Sequence, residues 1–131
     1  MMKLLIDTHL LLWAAADMLP EKALPYFDNE ENQLFFSPAS IWEVIIKNGL
    51  NRPDFQVNPV ALYWGLLDNG YIELAINSRH ALLVADLPPA HKDPFDRILI
   101  AQAKAEGALL LSSDKIVSQY SYVIYVEGLS G

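Results

Sequence analysis

Short apolar runs alternate along the chain with longer segments in which apolar residues recur at helical spacing. The runs have the composition of buried strands and occupy residues 3–6, 33–36, 71–76, 108–111 and 122–126. The order of the predicted elements is β-α-α-β-α-α-β-α-α-β-α-β. This order predicts an α/β fold in which a central, mostly parallel sheet of four to five strands is flanked by helices on both faces.

Capping residues place the starts of several predicted helices. Ser37 or Ser40 precedes a helix that stops at Gly49, and Asn58 precedes one that opens with proline. Ser78 is expected to cap a further short helix. Residues 20–31 predict a short helix with an acidic end, and residues 52–57 predict a loop.

The stretch DPFDRILIAQAKAEGALLLSSD, residues 93–114, predicts a helix followed by a buried strand. Asp93 suits the N-cap, Asp96 falls in the first turn, and Gly107 suits the helix end. The strand that follows leads directly to Asp114. Because ligands of parallel α/β sheets bind beyond the carboxyl ends of the strands, Asp114 is a candidate site residue.

Two further acids are predicted to lie at the same edge of the sheet. Asp7 follows the first strand, and Glu43 lies near the start of the helix after the second strand. Each also has a structural alternative: Asp7 as the N-cap of the next helix, and Glu43 as an exposed partner of Lys47. An i, i+4 pair of that kind contributes only a few tenths of a kcal/mol, about 0.2–0.5.

Four carboxylates at one edge would need a counter-charge. Two ionised carboxylates about 4 Å apart repel by about 4 kcal/mol at an effective dielectric constant of 20, and several such pairs rival the stability of a domain, about 5–15 kcal/mol. An all-oxygen set of donors with no cysteine matches Mg²⁺ or Mn²⁺. Such a site suits attack of metal-activated water on a phosphodiester, so the acids predict metal-dependent hydrolysis.

Composition narrows the class of protein. The 131 residues are expected to form a single domain, residues 1–131. No apolar stretch reaches the length of about 20 residues that spans a bilayer, so we expect no membrane association. The absence of cysteine fits the cytoplasm. A net charge of -7 argues against binding of nucleic acid by bulk electrostatics and calls for a local basic rim or bound cations.

These residues resemble the PIN-domain proteins of the VapC toxin type, small bacterial and archaeal ribonucleases of toxin–antitoxin systems. The resemblance runs from LLIDTH, which begins at Leu4, to the strand near Val126, and its most specific part is residues 93–114. It implies a PIN-like fold and a Mg²⁺- or Mn²⁺-dependent endoribonuclease, usually dimeric and silenced by a VapB-type antitoxin. The family's catalytic and metal-binding acids fall on Asp7, Glu43, Asp96 and Asp114, with Ser112 in support.

Some roles stay open within this resemblance. Relatives often carry a basic residue just before the last aspartate, where this chain has Ser113, so Arg97 or Lys47 is expected to grip the substrate. Asp96 is preferred to Asp93 as the third acid because its spacing to the last acid matches the family. Thr8 either orients Asp7 or a metal-bound water, or caps a helix.

The substrate and the activity also have alternatives. Single-stranded DNA is the alternative to RNA, and a catalytically silent binding module is the alternative to a nuclease. A phosphatase of the haloacid dehalogenase type is disfavoured because His9 stands where a second aspartate is required. The apolar surplus, including Trp13, Trp42 and Trp64, predicts a surface for a second copy or a partner.

Overall fold

The computed structural model describes residues 1–50, 56–89 and 92–128. In this part of the chain a single sheet contains five strands in the order β3-β2-β1-β4-β5, and every neighbouring pair is parallel. The strands are β1 Lys3–Ile6, β2 Gln33–Phe36, β3 Ile72–Glu73, β4 Leu109–Ser112 and β5 Val123–Tyr125. The predicted parallel α/β sheet is therefore confirmed.

Helices connect the strands and cover both faces of the sheet. They are α1 Thr8–Ala15, α2 Leu24–Phe27, α3 Pro38–Asn48, α4 Pro59–Asp68, α5 Ser78–Val84 and α6 Pro94–Glu106. Side chains alternate across β1, so that Leu4 and Ile6 join one core with residues of α1 and α4. Leu5 points the other way, into a second core with Leu99 and Ile100 of α6. The sheet is thus buried between two apolar layers.

Local sequence signals account for most helix ends. Ser37, Asn58 and Asp93 each accept hydrogen bonds from backbone N–H groups in the first turn of α3, α4 and α6. Gly107 adopts a left-handed conformation with φ of 65°, which ends α6 and starts the tight connection to β4. These caps are where the sequence places them, with Ser37 rather than Ser40 at the start of α3.

Three local predictions were wrong. The cap of α5 is Asn77 and not Ser78, because the Asn77 side chain accepts from the His80 N–H while His80 Nδ1 accepts from the Asn77 N–H. The strand predicted over residues 71–76 pairs only as Ile72–Glu73, at an exposed sheet edge. The helix predicted over residues 20–31 divides into a short 3₁₀ turn, Glu21–Ala23, and the four-residue α2.

The loop predicted over residues 52–57 lies largely outside the described residues. Among the described helices, none is long and apolar enough to cross a bilayer. Because all five described strands run the same way, their carboxyl ends meet at one edge of the sheet. Asp7 and Asp114 follow β1 and β4 at that edge.

Candidate active site

Asp7 is the buried acid at the carboxyl end of β1. Its side chain is only 4% exposed, and Oδ1 accepts the Leu10 N–H at 2.9 Å, so Asp7 is the N-cap of α1. Its second oxygen, Oδ2, accepts the Ser112 hydroxyl at 2.7 Å and the Ser113 N–H at 3.2 Å. The structural alternative for Asp7 is therefore correct, and the same carboxylate also joins the ends of β1 and β4.

Burial raises the pKa of the Asp7 carboxyl above its ordinary value. Hydrogen bonds from Leu10, Ser112 and Ser113 act in the opposite direction, and the nearby His9 adds a smaller lowering effect. Burial outweighs these donors because it removes the water that would solvate the ionised form. A cation beside Asp7 would stabilise its ionised form.

Ser112 stands between two of the predicted acids at the end of β4. Its oxygen donates to Asp7 and accepts the Asp114 N–H at 3.1 Å. Asp114 in turn accepts the Ile116 N–H at 2.7 Å through Oδ1, which closes the turn after β4. A chain of hydrogen bonds thus connects Asp7 through Ser112 to the backbone of Asp114.

Glu43 reaches the same edge from α3 and is buried rather than exposed. It is 4% exposed, its Oε1 accepts the Thr8 hydroxyl at 2.7 Å, and its Oε2 lies 2.7 Å from Lys47 Nζ. The pair with Lys47 that the sequence suggests therefore exists, but the idea of an exposed Glu43 was wrong. Thr8 Oγ1 also lies 2.9 Å from Ser40 Oγ, so its side chain is engaged by α3 and orients Glu43.

The two acids at the start of α6 have different positions in the helix. Asp93 is the N-cap, since its Oδ1 accepts the Phe95 N–H at 2.9 Å, and Asp96 follows in the first turn. α6 leads through Gly107 into the amino end of β4, so its own start lies at the carboxyl edge. The Phe95 ring meets Trp42 of α3 edge-on, with centroids 5.3 Å apart, which packs this start against the helix that carries Glu43.

The two cations proposed to grip substrate are both engaged by the protein. Arg97 donates to the carbonyl oxygens of Val84 at 2.9 Å and Pro88 at 3.0 Å, which ties α6 to the end of α5. The Lys47 ammonium is paired with Glu43. A substrate-binding role for either residue stays a prediction.

Three of the predicted acids, Asp7, Glu43 and Asp114, have described side-chain partners, and these partners differ. Within residues 1–50, 56–89 and 92–128, no three Asp, Glu or His side chains form a ready metal cluster. Glu43 is turned to Thr8 and Lys47, and Asp114 to its own turn. The expected convergence in one pocket would therefore require these carboxylates to change partners.

The donor chemistry nevertheless fits a hard divalent cation. Every predicted ligand is a carboxylate, and Mg²⁺ is commonly held by one or two carboxylates together with waters, so a complete protein cage is not required. Burial disfavours the charge of Asp7, and a bound cation would offset that cost by stabilising the carboxylate. His80 is not among the predicted ligands, and its Nε2 lies 3.2 Å from Glu106 Oε2.

Ser40 also contributes to this edge, although the sequence suggests it only as a helix cap. It is 1% exposed and holds Thr8, which in turn holds Glu43. No local signal distinguishes it, because its partner is 32 residues away in the chain.

A parallel α/β sheet with acids from four segments at its carboxyl edge defines a class of candidate phosphodiester hydrolases. A family model described as PIN domain matches residues 4–121. The chain therefore belongs to the PIN domain family, whose members are generally nucleases. No protein of curated function matches the sequence.

Solved structures share this fold at low sequence identity. VapBC2 from Rickettsia felis, bound to a promoter DNA fragment, superposes with a TM-score of 0.68 at 13% identity, covering 95% of this chain and 98% of that chain. DNA-bound VapBC from Salmonella typhimurium gives 0.68 at 14% identity, with coverages of 96% and 98%. FitAB bound to the IR36 DNA fragment gives 0.64 at 16%, with coverages of 93% and 94%. These likenesses establish the fold.

Proposed function

We propose that this protein is a divalent-metal-dependent endoribonuclease and the toxin of a VapBC-type toxin–antitoxin pair. The observation that carries the proposal is the hydrogen-bonded link from Asp7 through Ser112 to Asp114 at the carboxyl edge of a PIN-domain sheet. These hydrogen bonds fix the orientation of the Asp7 carboxylate before a cation binds. The reaction is hydrolysis of RNA phosphodiester bonds.

Asp7, Glu43, Asp96 and Asp114 would hold Mg²⁺ or Mn²⁺. When bound, the cation supplies a water of lowered pKa and offsets the negative charge of the phosphate. Ser112 fixes the orientation of Asp7, and Thr8 fixes that of Glu43. Lys47 keeps a positive charge beside Glu43, which limits repulsion among the acids before a cation binds.

A VapB-type antitoxin and a second copy of the chain are the proposed protein partners. The VapBC and FitAB structures with the same fold support the first. An apolar cleft of about 1060 Å³ runs beside α1 and α4 and offers room for a partner segment. For the homodimer the support is the surface of α3, where Trp42 is 61% exposed and Ile45, one turn along the helix, is also exposed. The proposed location is the cytoplasm.

Metal binding is the first test. Titration of the metal-free protein with Mn²⁺, followed by calorimetry, should show saturable binding that Asp7→Asn abolishes. Single-stranded RNA should then be cleaved with Mn²⁺ or Mg²⁺ and not with a chelator. Saturable binding with cleavage of single-stranded DNA alone would move the substrate to DNA, and absence of binding would favour a silent module.

Oligomeric state tests the partner surface. Light scattering at micromolar concentration should report a dimer for the free protein, and Trp42→Glu should convert it to a monomer because a charge would be buried. Ala85→Glu, at an exposed position directly after α5, is the matched control. A monomeric wild-type protein would contradict the homodimer.

A further inference from the structure

A cleft of about 450 Å³ lies beside the candidate active site and has a different chemistry from it. The cleft is lined by two lysines, Lys22 and Lys115, by two tyrosines, Tyr26 and Tyr125, and by Glu127. The chain as a whole has a net charge of -7, whereas this cleft contains two positively charged side chains and one negatively charged one. Its volume falls within the range of ligand pockets, about 300–1,000 Å³.

The sheet places this cleft close to the acids. Tyr125 pairs in register with Ser112, and the Val126 N–H donates to the Ser112 carbonyl at 2.9 Å. Neighbouring strands are about 4.8 Å apart, so Tyr125 stands one strand away from the serine that contacts Asp7. Lys115 directly follows Asp114 in the chain. Residues that line the cleft are therefore direct neighbours of Ser112 and Asp114.

The charges in the cleft are arranged around one carboxylate. Lys22 Nζ lies 3.0 Å from Glu127 Oε2, with side chains 72% and 67% exposed. The hydrogen bond and charge of Lys22 lower the pKa of Glu127, and Lys115 adds a smaller effect of the same sign. Glu127 is therefore near both lysines. An ion pair this exposed to water contributes little to stability, so another anion can displace it at small cost.

We propose that this cleft binds a nucleotide of single-stranded RNA that flanks the bond to be cut. Lys22 and Lys115 contact its phosphates, and the Tyr125 ring, with Tyr26 beside it, stacks on the base. Glu127 occupies the place of a phosphate until RNA arrives and then releases Lys22. Lysine binds phosphate as a point charge, and aromatic faces stack on bases of any sequence. This inference rests on the proposed ribonuclease function and adds where the substrate lies.

Affinity for labelled single-stranded RNA, measured by fluorescence anisotropy in the Asp7→Asn protein so that the RNA is not cleaved, tests the cleft. Tyr125→Ala should weaken binding roughly tenfold, within the range known for base stacking, whereas Tyr125→Phe should retain it. Lys22→Gln should weaken binding and reduce the slope of log affinity against log salt by about 0.7. Glu127→Gln should tighten binding, which a merely structural residue would not do.

Lys104→Gln is the matched control, since Lys104 is exposed at the far end of α6. In the otherwise wild-type protein, Lys22→Gln should raise KM for RNA cleavage with kcat unchanged. If wild-type protein cleaves RNA while Lys22→Gln and Glu127→Gln behave like Lys104→Gln, the cleft assignment is overturned and the ribonuclease proposal stands. If wild-type protein with Mn²⁺ neither binds nor cleaves RNA, both fail.

Discussion

The Ser112 hydroxyl donates a 2.7 Å hydrogen bond to Asp7 Oδ2 across 105 residues of sequence. The same oxygen accepts the backbone N–H of Asp114. One serine thus sets the orientation of the acid at the end of β1 and the path of the chain toward the acid after β4. Loss of this hydroxyl should therefore affect two proposed metal ligands at once.

Ser112→Ala should weaken Mn²⁺ binding by about 10–100-fold, the usual effect of losing a group that orients a metal ligand. Calorimetry measures this affinity directly. Ser113→Ala is the matched control, because Ser113 contacts Asp7 only through its backbone N–H among the contacts described, and that group survives the substitution. Equal affinities for the two variants would show that Ser112 does not orient Asp7 for a metal.

Thr8→Val should lower the free energy of unfolding by about 1–3 kcal/mol, because the buried Glu43 carboxylate would lose the hydroxyl that it accepts. Urea denaturation in metal-free buffer measures the change. Thr8→Ser restores the donor and should recover most of the loss. An unfolding midpoint for Thr8→Val equal to that of the wild type would mean that the ion pair with Lys47 alone is enough to stabilise the buried Glu43 carboxylate.

Arg97→Lys should lower the free energy of unfolding by about 1.5–3 kcal/mol, the range for hydrogen bonds to charged groups. The guanidinium reaches two carbonyls in a fixed fork, and a single ammonium cannot reproduce that geometry. Arg79→Lys, at an exposed position on α5, is the control. Unchanged stability with a raised KM for RNA would instead assign Arg97 to substrate binding.

The contrast between Asp93 and Arg97 shows which side-chain roles can be predicted from the sequence. Asp93 caps a helix that begins at the next residue, so its partner is local and the sequence alone identifies its role. Arg97 bonds carbonyls nine and thirteen residues earlier, and those atoms come within reach only when α5 packs against α6. Side chains whose partners depend on packing of separate elements could not be assigned beforehand.

Glu43 illustrates the same limit at the candidate site. Its spacing to Lys47 is visible in the sequence and predicts an ion pair, which the structure contains. Its burial depends on Thr8, which lies 35 residues away on α1. Strand direction predicts which edge of the sheet carries Asp7 and Asp114. The sequence does not predict the hydrogen-bond or ion-pair partner of each carboxylate.

Tyr71 should give a pH dependence that is independent of the metal site. Burial raises the pKa of its phenol to about 12. Because this value exceeds the unfolded-state value of about 10, the neutral phenol contributes its full stabilisation below pH 10, and that contribution is lost as the pH rises toward 12. Tyr71→Phe should remove one phenolate step near pH 12 from an absorbance titration. A wild-type curve unchanged by this substitution would contradict the assignment.

Cleavage of single-stranded RNA by wild-type and Asp7→Asn proteins in Mn²⁺ tests the central claim most directly. Asparagine keeps the cap on Leu10 and removes the charge, but its amide N–H groups replace the oxygen that accepts from Ser112 and Ser113, so the melting temperature in metal-free buffer is measured to check that both proteins are folded during the assay. The cleavage rate should fall at least about 100-fold, beyond the usual effect of losing an outer-shell partner of a metal. Equal cleavage by the two folded proteins would contradict a catalytic Asp7 and leave it as a helix cap.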